Sequence, residues 1–277
     1  MRGENSGSVF IADMIKLIGL LDCKTHLYLT GGEPLFSETI LEDIKFIKQN
    51  TNNTEIGLFT SGITGGFESI SVETGTYLKS IGIEDCFFSI YHKDQRIHDY
   101  ITNRQNAYEI TMKSITNMFK AGIKIKINIV LNKYNHLELD EIIKHLESLG
   151  MINEIRLLRL VRGGNAEKNW YDLGISFEDQ NSEILKIMEN KKKYALGITV
   201  AGFPDIFPCR PFANSIRCQA GISLLYVTFD GYIFPCACVK NKKMFEIGHI
   251  SDMKVIKTYL RNIGDKKYNE CCLNQEI

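Results

Sequence analysis

Gly122-Ile123-Lys124-Ile125-Lys126-Ile127-Asn128-Ile129-Val130-Leu131-Asn132 decides the fold class. Strict alternation of this kind is the mark of a β-strand. Ile123, Ile125, Ile127, Ile129 and Leu131 share one face, and Lys124, Lys126, Asn128, Val130 and Asn132 share the other. Upstream, Tyr108 to Lys120 carries Ile115, Met118 and Phe119 at helical spacing and stops at Gly122. Downstream, Leu137 to Leu149 reads as a helix with Leu139, Ile142, Ile143, Leu146 and Leu149 apolar, ending at Gly150. Glu154 to Val161 is the next strand, with Arg156 on one face and Arg159 on the other. A strand covered on both faces is apolar on both. The polar face here therefore borders a ligand-holding space or, in a plainer reading, solvent at a sheet edge.

The same unit repeats outward. His26 to Thr30 is a short strand, followed by a helix with Leu41, Ile44 and Ile47 on one face. Glu55 to Thr60, closed by Ser61-Gly62, and Cys86 to Tyr91 are further strands. A helix is expected over Glu178 to Lys192 and a strand over Gly197 to Ala201. Repeated strand–helix units predict an α/β fold on a parallel sheet, open or closed. Beyond it the cysteines become dense, which places a boundary near residue 200: an α/β domain over 1–200 and a small Cys-rich domain over 201–277.

Composition narrows the functional classes. The 277 residues are 44% hydrophobic and 24% charged, an ordinary globular balance. Lys+Arg and Asp+Glu are both 33. Zero net charge argues against a dedicated nucleic-acid binder. No apolar run approaches the ~18 residues of a membrane span, and Met1 to Gly7 has no secretory apolar core. Eight cysteines without such a leader are expected in a reducing, cytoplasmic setting, where they serve metals more often than disulfides.

Two motifs carry chemistry. Leu29-Thr30-Gly31-Gly32-Glu33-Pro34-Leu35 lies at the carboxyl end of a strand, where parallel α/β folds bind ligands. Its glycines admit a ligand to the backbone, Glu33 offers a carboxylate to a ligand amino group, and Pro34 stiffens the exit. The second motif runs from Cys218 to Cys238. Asp230-Gly231 is a hairpin turn whose open end folds Cys218 and Cys236 together. Thiolates gathered this way hold zinc or an iron–sulfur cluster, drawing on Cys209, Cys218, Cys236, Cys238, Cys271 and Cys272. Cys23 and Cys86 have no partners at ligand spacing and read as core residues.

On these residues the chain resembles the radical S-adenosylmethionine (SAM) enzymes with a C-terminal SPASM/twitch-type auxiliary-cluster domain. Thr30-Gly31-Gly32-Glu33-Pro34 matches the segment that binds the SAM amino group. Cys218, twelve residues, Gly231, four residues, Cys236 matches the opening of the auxiliary-cluster motif. The resemblance implies a partial (βα)6-type TIM barrel, here lacking its first strand, with SAM and substrate at the carboxyl ends of the strands. It implies SAM cofactor contacts at Gly31, Gly32, Glu33, Pro34, Thr60, Ser61, Ser89 and Asn132, with backbone near Leu160 and Val161 at the adenine. It also implies a [4Fe–4S] auxiliary cluster on the cysteines above. The implied activity is hydrogen abstraction by a 5′-deoxyadenosyl radical in peptide or protein side-chain modification, with an electron-donor protein as partner and neither nucleic acid nor membrane. The family's C-x3-C-x2-C triplet, which binds the SAM-cleaving cluster, does not occur in these 277 residues, and only Cys23 precedes Gly31. No catalytic side chain is assigned. The alternative is a non-catalytic remnant that binds peptide or a SAM-like ligand, with structural zinc or an auxiliary cluster.

Overall fold

The computed structural model describes residues 6–21, 23–203, 220–240 and 242–262. They fall into two compact units. One consists of His26–Gln49 and Thr54–Phe203; the other holds the described residues of Met1–Thr25, Asn50–Asn53 and Pro204–Ile277.

Helix α1 (Ser6–Leu21) belongs to the smaller unit. The larger unit alternates strand and helix: β1 (Thr25–Leu29), α2 (Ile40–Asn50), β2 (Thr54–Thr60), α3 (Val72–Ser80), β3 (Ile83–Ser89), α4 (Gln95–Thr102), α5 (Ala107–Lys120), β4 (Lys124–Val130), α6 (Leu139–Ser148) and β5 (Glu154–Leu158). Two single turns, α7 (Asn165–Lys168) and α8 (Trp170–Leu173), precede α9 (Phe177–Glu189) and β6 (Gly197–Ala201). The six strands lie side by side in sequence order, and the pairs from β2 through β6 are parallel. This is the half-barrel form of the α/β barrel, as the repeated units require. The expected fifth strand stops early, at Leu158, because Leu160 leaves the ladder for the side chain of Gln180.

The two faces differ as the alternation requires. Ile56, Leu58, Cys86, Phe88, Ile125, Ile127, Ile129, Ile155 and Leu157 are buried, and so are Ile44, Ile47, Ile115, Met118, Ile142, Ile143 and Leu146 of the helices. Each such side chain contributes about 1.5–3 kcal/mol relative to exposure. The opposite face presents Tyr28, Phe59, Asp85, Phe87, Ser89, Lys126, Asn128, Glu154 and Arg156, one strand to the next in register.

The smaller unit contains β7 (Tyr226–Val227), β8 (Tyr232–Phe234), β9 (Gly248–His249) and α10 (Met253–Arg261). Its three strands pair antiparallel. The Asp230-Gly231 turn forms where expected: Gly231 N–H donates to Thr228 O at 3.0 Å, and Gly231 has φ +89°. A side chain there would lie 2.4 Å from His249 Nε2. Cys86 is buried as expected. Cys23 is exposed, outside any core, because the strand that follows it begins only at Thr25.

Candidate functional site

The site begins with one carboxylate. Glu33 ends the turn after β1, and Pro34 then starts a single helical turn, Pro34–Phe36. Its oxygens reach the end of the neighbouring strand. Thr60 Oγ1 donates to Oε1 at 2.7 Å; Ser61 N–H and Ser61 Oγ donate to Oε2, each at 2.7 Å. Leu35 N–H adds a longer contact of 3.4 Å to Oε1. A carboxylate has about four lone-pair sites; three short bonds fix this one, and the long Leu35 contact leaves a site for a ligand donor. Gly31 and Gly32 have φ of +99° and +56° and are exposed, with open space where a side chain would be. A small polar head therefore has direct access to their backbone.

The helix behind β2 holds this turn in place. Thr111, Ser114 and Asn117 recur every three residues along one side of α5. Thr111 Oγ1 donates to Ser61 O at 2.7 Å, Ser114 Oγ donates to Gly62 O, and Asn117 Nδ2 donates to Ile70 O at 2.8 Å. Ser114 Oγ also accepts Ile70 N–H at 2.8 Å. Thr60 Oγ1 accepts Gly62 N–H at 2.9 Å. Sequence reading found Thr60 and Ser61 but not these supports; their only signal was three polar residues on a helix face that packs inward.

The structure thus brings Gly31, Gly32, Glu33, Pro34, Thr60 and Ser61 together. Ser89 and Asn132 are not part of this network. Ser89 sits half-buried at the end of β3. Asn132 is buried, and its side chain shapes the turn after β4: Oδ1 accepts Tyr134 N–H at 2.9 Å, and Nδ2 donates to Val130 O at 3.1 Å. Leu160 N–H donates to Gln180 Oε1 at 2.8 Å. Cys236 is half-buried and Cys238 exposed, while Cys209, Cys218, Cys271 and Cys272 lie outside the described residues. Among the described residues no group of three metal-binding side chains converges.

A second polar set lies deeper on the open sheet face. Lys126 Nζ is 2.6 Å from Asp85 Oδ2 and 3.8 Å from Glu154 Oε2. Tyr28 Oη donates to Asp85 Oδ2 at 3.2 Å, and Thr199 Oγ1 donates to Glu154 Oε1 at 2.7 Å. Burial acts to lower the Lys126 pKa, but its hydrogen bond to Asp85 and that residue's charge outweigh burial and hold it above the ordinary lysine value. Burial and then the Asp85 charge raise the Tyr28 pKa. Cys86 lies on the other face, where burial raises its thiol pKa far above the ordinary value.

Two buried histidines follow β3, His92 in the loop and His98 on α4. His98, on α4, accepts Tyr91 N–H at Nδ1 (3.2 Å) and meets the edge of Tyr108. Burial pulls its pKa down from 6.5 to about 4. The unfolded chain therefore takes up a proton near pH 6.5 that the folded chain refuses until near pH 4. Stability from this group is complete above that window and falls as pH drops through it, by about 3 kcal/mol in full. We predict that His98→Gln lowers stability at pH 7.5 but flattens the loss between pH 7.5 and pH 5, where His98 alone removes about 2 kcal/mol. Urea unfolding at both pH values checks this; an unchanged pH dependence in the variant would assign the loss elsewhere.

Comparison with known proteins adds a second line. No protein-family model matches the chain. A probable GTP 3′,8-cyclase of Sulfurisphaera tokodaii is 26% identical over 251 residues, covering 88% of this chain and 77% of that protein. A protein of the same name from Methanococcus aeolicus is 29% identical over 216 residues, covering 75% and 67%. Among solved structures, Streptococcus suis SuiB bound to S-adenosylmethionine aligns with TM-score 0.69 at 13% identity, covering 99% of this chain and 65% of SuiB. Native anSMEcpe with bound AdoMet aligns with TM-score 0.66 at 13% identity, covering 93% and 72%. The chain thus spans slightly under two thirds of SuiB. At such identities the structures speak for the fold; both hold bound S-adenosylmethionine. Together these likenesses support a place for the chain among the radical S-adenosylmethionine enzymes.

Proposed function

We propose that the chain binds S-adenosylmethionine at the turn after β1 and holds a peptide or protein side chain for hydrogen abstraction. The observation that carries the reading is the immobilised Glu33 carboxylate beside the open Gly31-Gly32 backbone. An α-ammonium finds negative charge from Glu33 and carbonyl acceptors from the turn, with little ordering cost because Thr60 and Ser61 have already fixed the acceptor. SAM would supply the 5′-deoxyadenosyl group, set free as a radical, with methionine as the other product, only where a one-electron donor cleaves its S–C5′ bond. This chain's residues bind, orient and shield. Three thiolates at C-x3-C-x2-C spacing are not among the 277 residues, so the residues present do not fit the SAM-cleaving cluster.

The hairpin at Asp230-Gly231 and the spacing of Cys218 and Cys236 around it support an auxiliary cluster held by Cys218 and Cys236 with others of Cys209, Cys238, Cys271 and Cys272. The same pattern supports the peptide-maturing branch and an electron-donor protein as partner. A nucleotide substrate is the second reading, favoured by relatives named as GTP 3′,8-cyclases. Those names do not favour a non-catalytic remnant. No described helix is long and apolar enough to cross a membrane.

The test uses the 277-residue chain, reconstituted anaerobically with iron and sulfide. SAM is expected to bind in equilibrium dialysis. Dithionite is expected to yield no 5′-deoxyadenosine above a protein-free control. Joint Cys218→Ala and Cys236→Ala replacement is expected to remove the iron and sulfide. Absence of SAM binding would refute the proposed cofactor site, and full iron in the double variant would refute the ligand assignment.

A further inference from the structure

Asn128 is the polar residue on the open sheet face that the site above leaves without a task. It is 9% exposed, and its Oδ1 has no hydrogen-bond partner. A buried acceptor left unmade costs about 1–3 kcal/mol, and such groups in native folds call for an explanation. Its neighbours in register are Ser89 on β3 and Arg156 on β5, with Thr199 of β6 next in the row. Adjacent strands lie about 4.8 Å apart, so Asn128 and Arg156 rise side by side on one face.

Arg156 is placed to act with it. Its guanidinium lies 4.1 Å from the centre of the Phe87 ring, which fixes its plane. Its ion contact, to Glu154 Oε1, is long at 3.6 Å, and its side chain is 27% exposed. Guanidinium has five N–H donors, so donors remain for a ligand. The row therefore offers an orphan acceptor beside a planar donor with a flat ring beneath.

We propose that Asn128 and Arg156 form a substrate subsite for an amide group, Asn128 Oδ1 accepting the ligand N–H while Arg156 donates to its C=O. The matching chemistry is an N–H and a carbonyl that point the same way. An extended peptide residue presents this edge, and so does the lactam edge of guanine. A lone carboxylate satisfies Arg156 but gives Asn128 Oδ1 no donor. The inference rests on the proposed reading of the chain as a SAM enzyme and specifies how its substrate is gripped.

The experiment is an NMR titration of the 15N-labelled full chain, with and without SAM. The reporters are the Asn128 side-chain amide, the Arg156 Nε–H and the Ser61 amide, which reads SAM at Glu33. The probes are GTP and N-acetylated, C-amidated tri-alanine. Asn128→Asp assigns the side-chain signal and, by pairing with Arg156, is expected to weaken the responding probe about ten-fold. Saturable shifts of Asn128 and Arg156 with tri-alanine support a peptide main chain; the same shifts with GTP support a guanine base. If neither probe moves the pair, the subsite is refuted, whether or not Ser61 reports SAM. If SAM alone saturates the pair and blocks both probes, the residues belong to the cofactor and the subsite is likewise refuted. Silence at Ser61 with a responding pair refutes the SAM reading instead.

Discussion

Replacing Glu33 by Gln is expected to weaken SAM binding by about 10–100-fold, the worth of a hydrogen bond to a charged group, while the fold persists. Two effects act together. The variant removes the negative charge opposite the ligand ammonium. It also puts an NH2 group where Glu33 has an acceptor. Ser61 N–H must keep a carbonyl partner, so the new NH2 faces Thr60 Oγ1, which already accepts Gly62 N–H. The Thr60 hydroxyl, 4% exposed, then loses the acceptor for its own proton. Equilibrium dialysis separates the causes. 5′-Methylthioadenosine carries the nucleoside without the amino acid, so its affinity is expected to stay within about two-fold. Loss of both ligands would mean that the turn itself collapses, and unchanged SAM affinity would remove Glu33 from the cofactor site. Thr60→Val tests the support alone: it keeps the Glu33 charge and is expected to cost about 1 kcal/mol of stability with a smaller loss of SAM.

Much of this site was legible because it is local. The strand over Lys124–Val130 announces its two faces by alternation, and the Gly-Gly-Glu-Pro turn sits within seven residues of one strand end. Contacts that depend on register were not legible. Glu33 meets Thr60 and Ser61 across 27 and 28 residues, and Lys126 meets Asp85 across the β3–β4 pairing. Alternation told that Lys126 faces a polar space but not which carboxylate answers it. Asn132 has a local role that its place at a strand end does not announce. A polar residue at the carboxyl end of a strand looks like a ligand contact, yet turns recruit Asn for their own backbone, and Tyr134 N–H claims it here. His98 was silent for a similar reason: α4 is polar overall, and burial of one ring in it depends on Tyr91 and Tyr108 arriving from either side.

The largest effect on stability is expected from the smallest change, Gly57→Ala. Gly57 lies in β2 on the open face, in register with Asp85. A Cβ there would lie 2.3 Å from Asp85 Oδ1 and 2.5 Å from Tyr28 Cε1. Neither neighbour has room to yield. Tyr28 stacks on Phe59 with ring centres 5.0 Å apart and meets the edge of Phe87 at 5.5 Å. Asp85 is 7% exposed and holds Lys126 at 2.6 Å. Overpacking by one methyl group alone costs about 1–3 kcal/mol. Here relief requires moving Asp85 off Lys126, and disrupting a buried ion pair costs about 3–5 kcal/mol. The chain therefore has to give at both Asp85 and the β2 backbone, and the expected net loss is about 3 kcal/mol, between the two figures. Urea unfolding measures the loss, and a double variant locates it. With Asp85→Ala in place the shortest clash is gone, so adding Gly57→Ala is expected to cost at least 1 kcal/mol less than in the parent chain. Strict additivity would mean that Asp85 does not confine position 57, and that the close fit of β2 against β3 rests on Tyr28 alone.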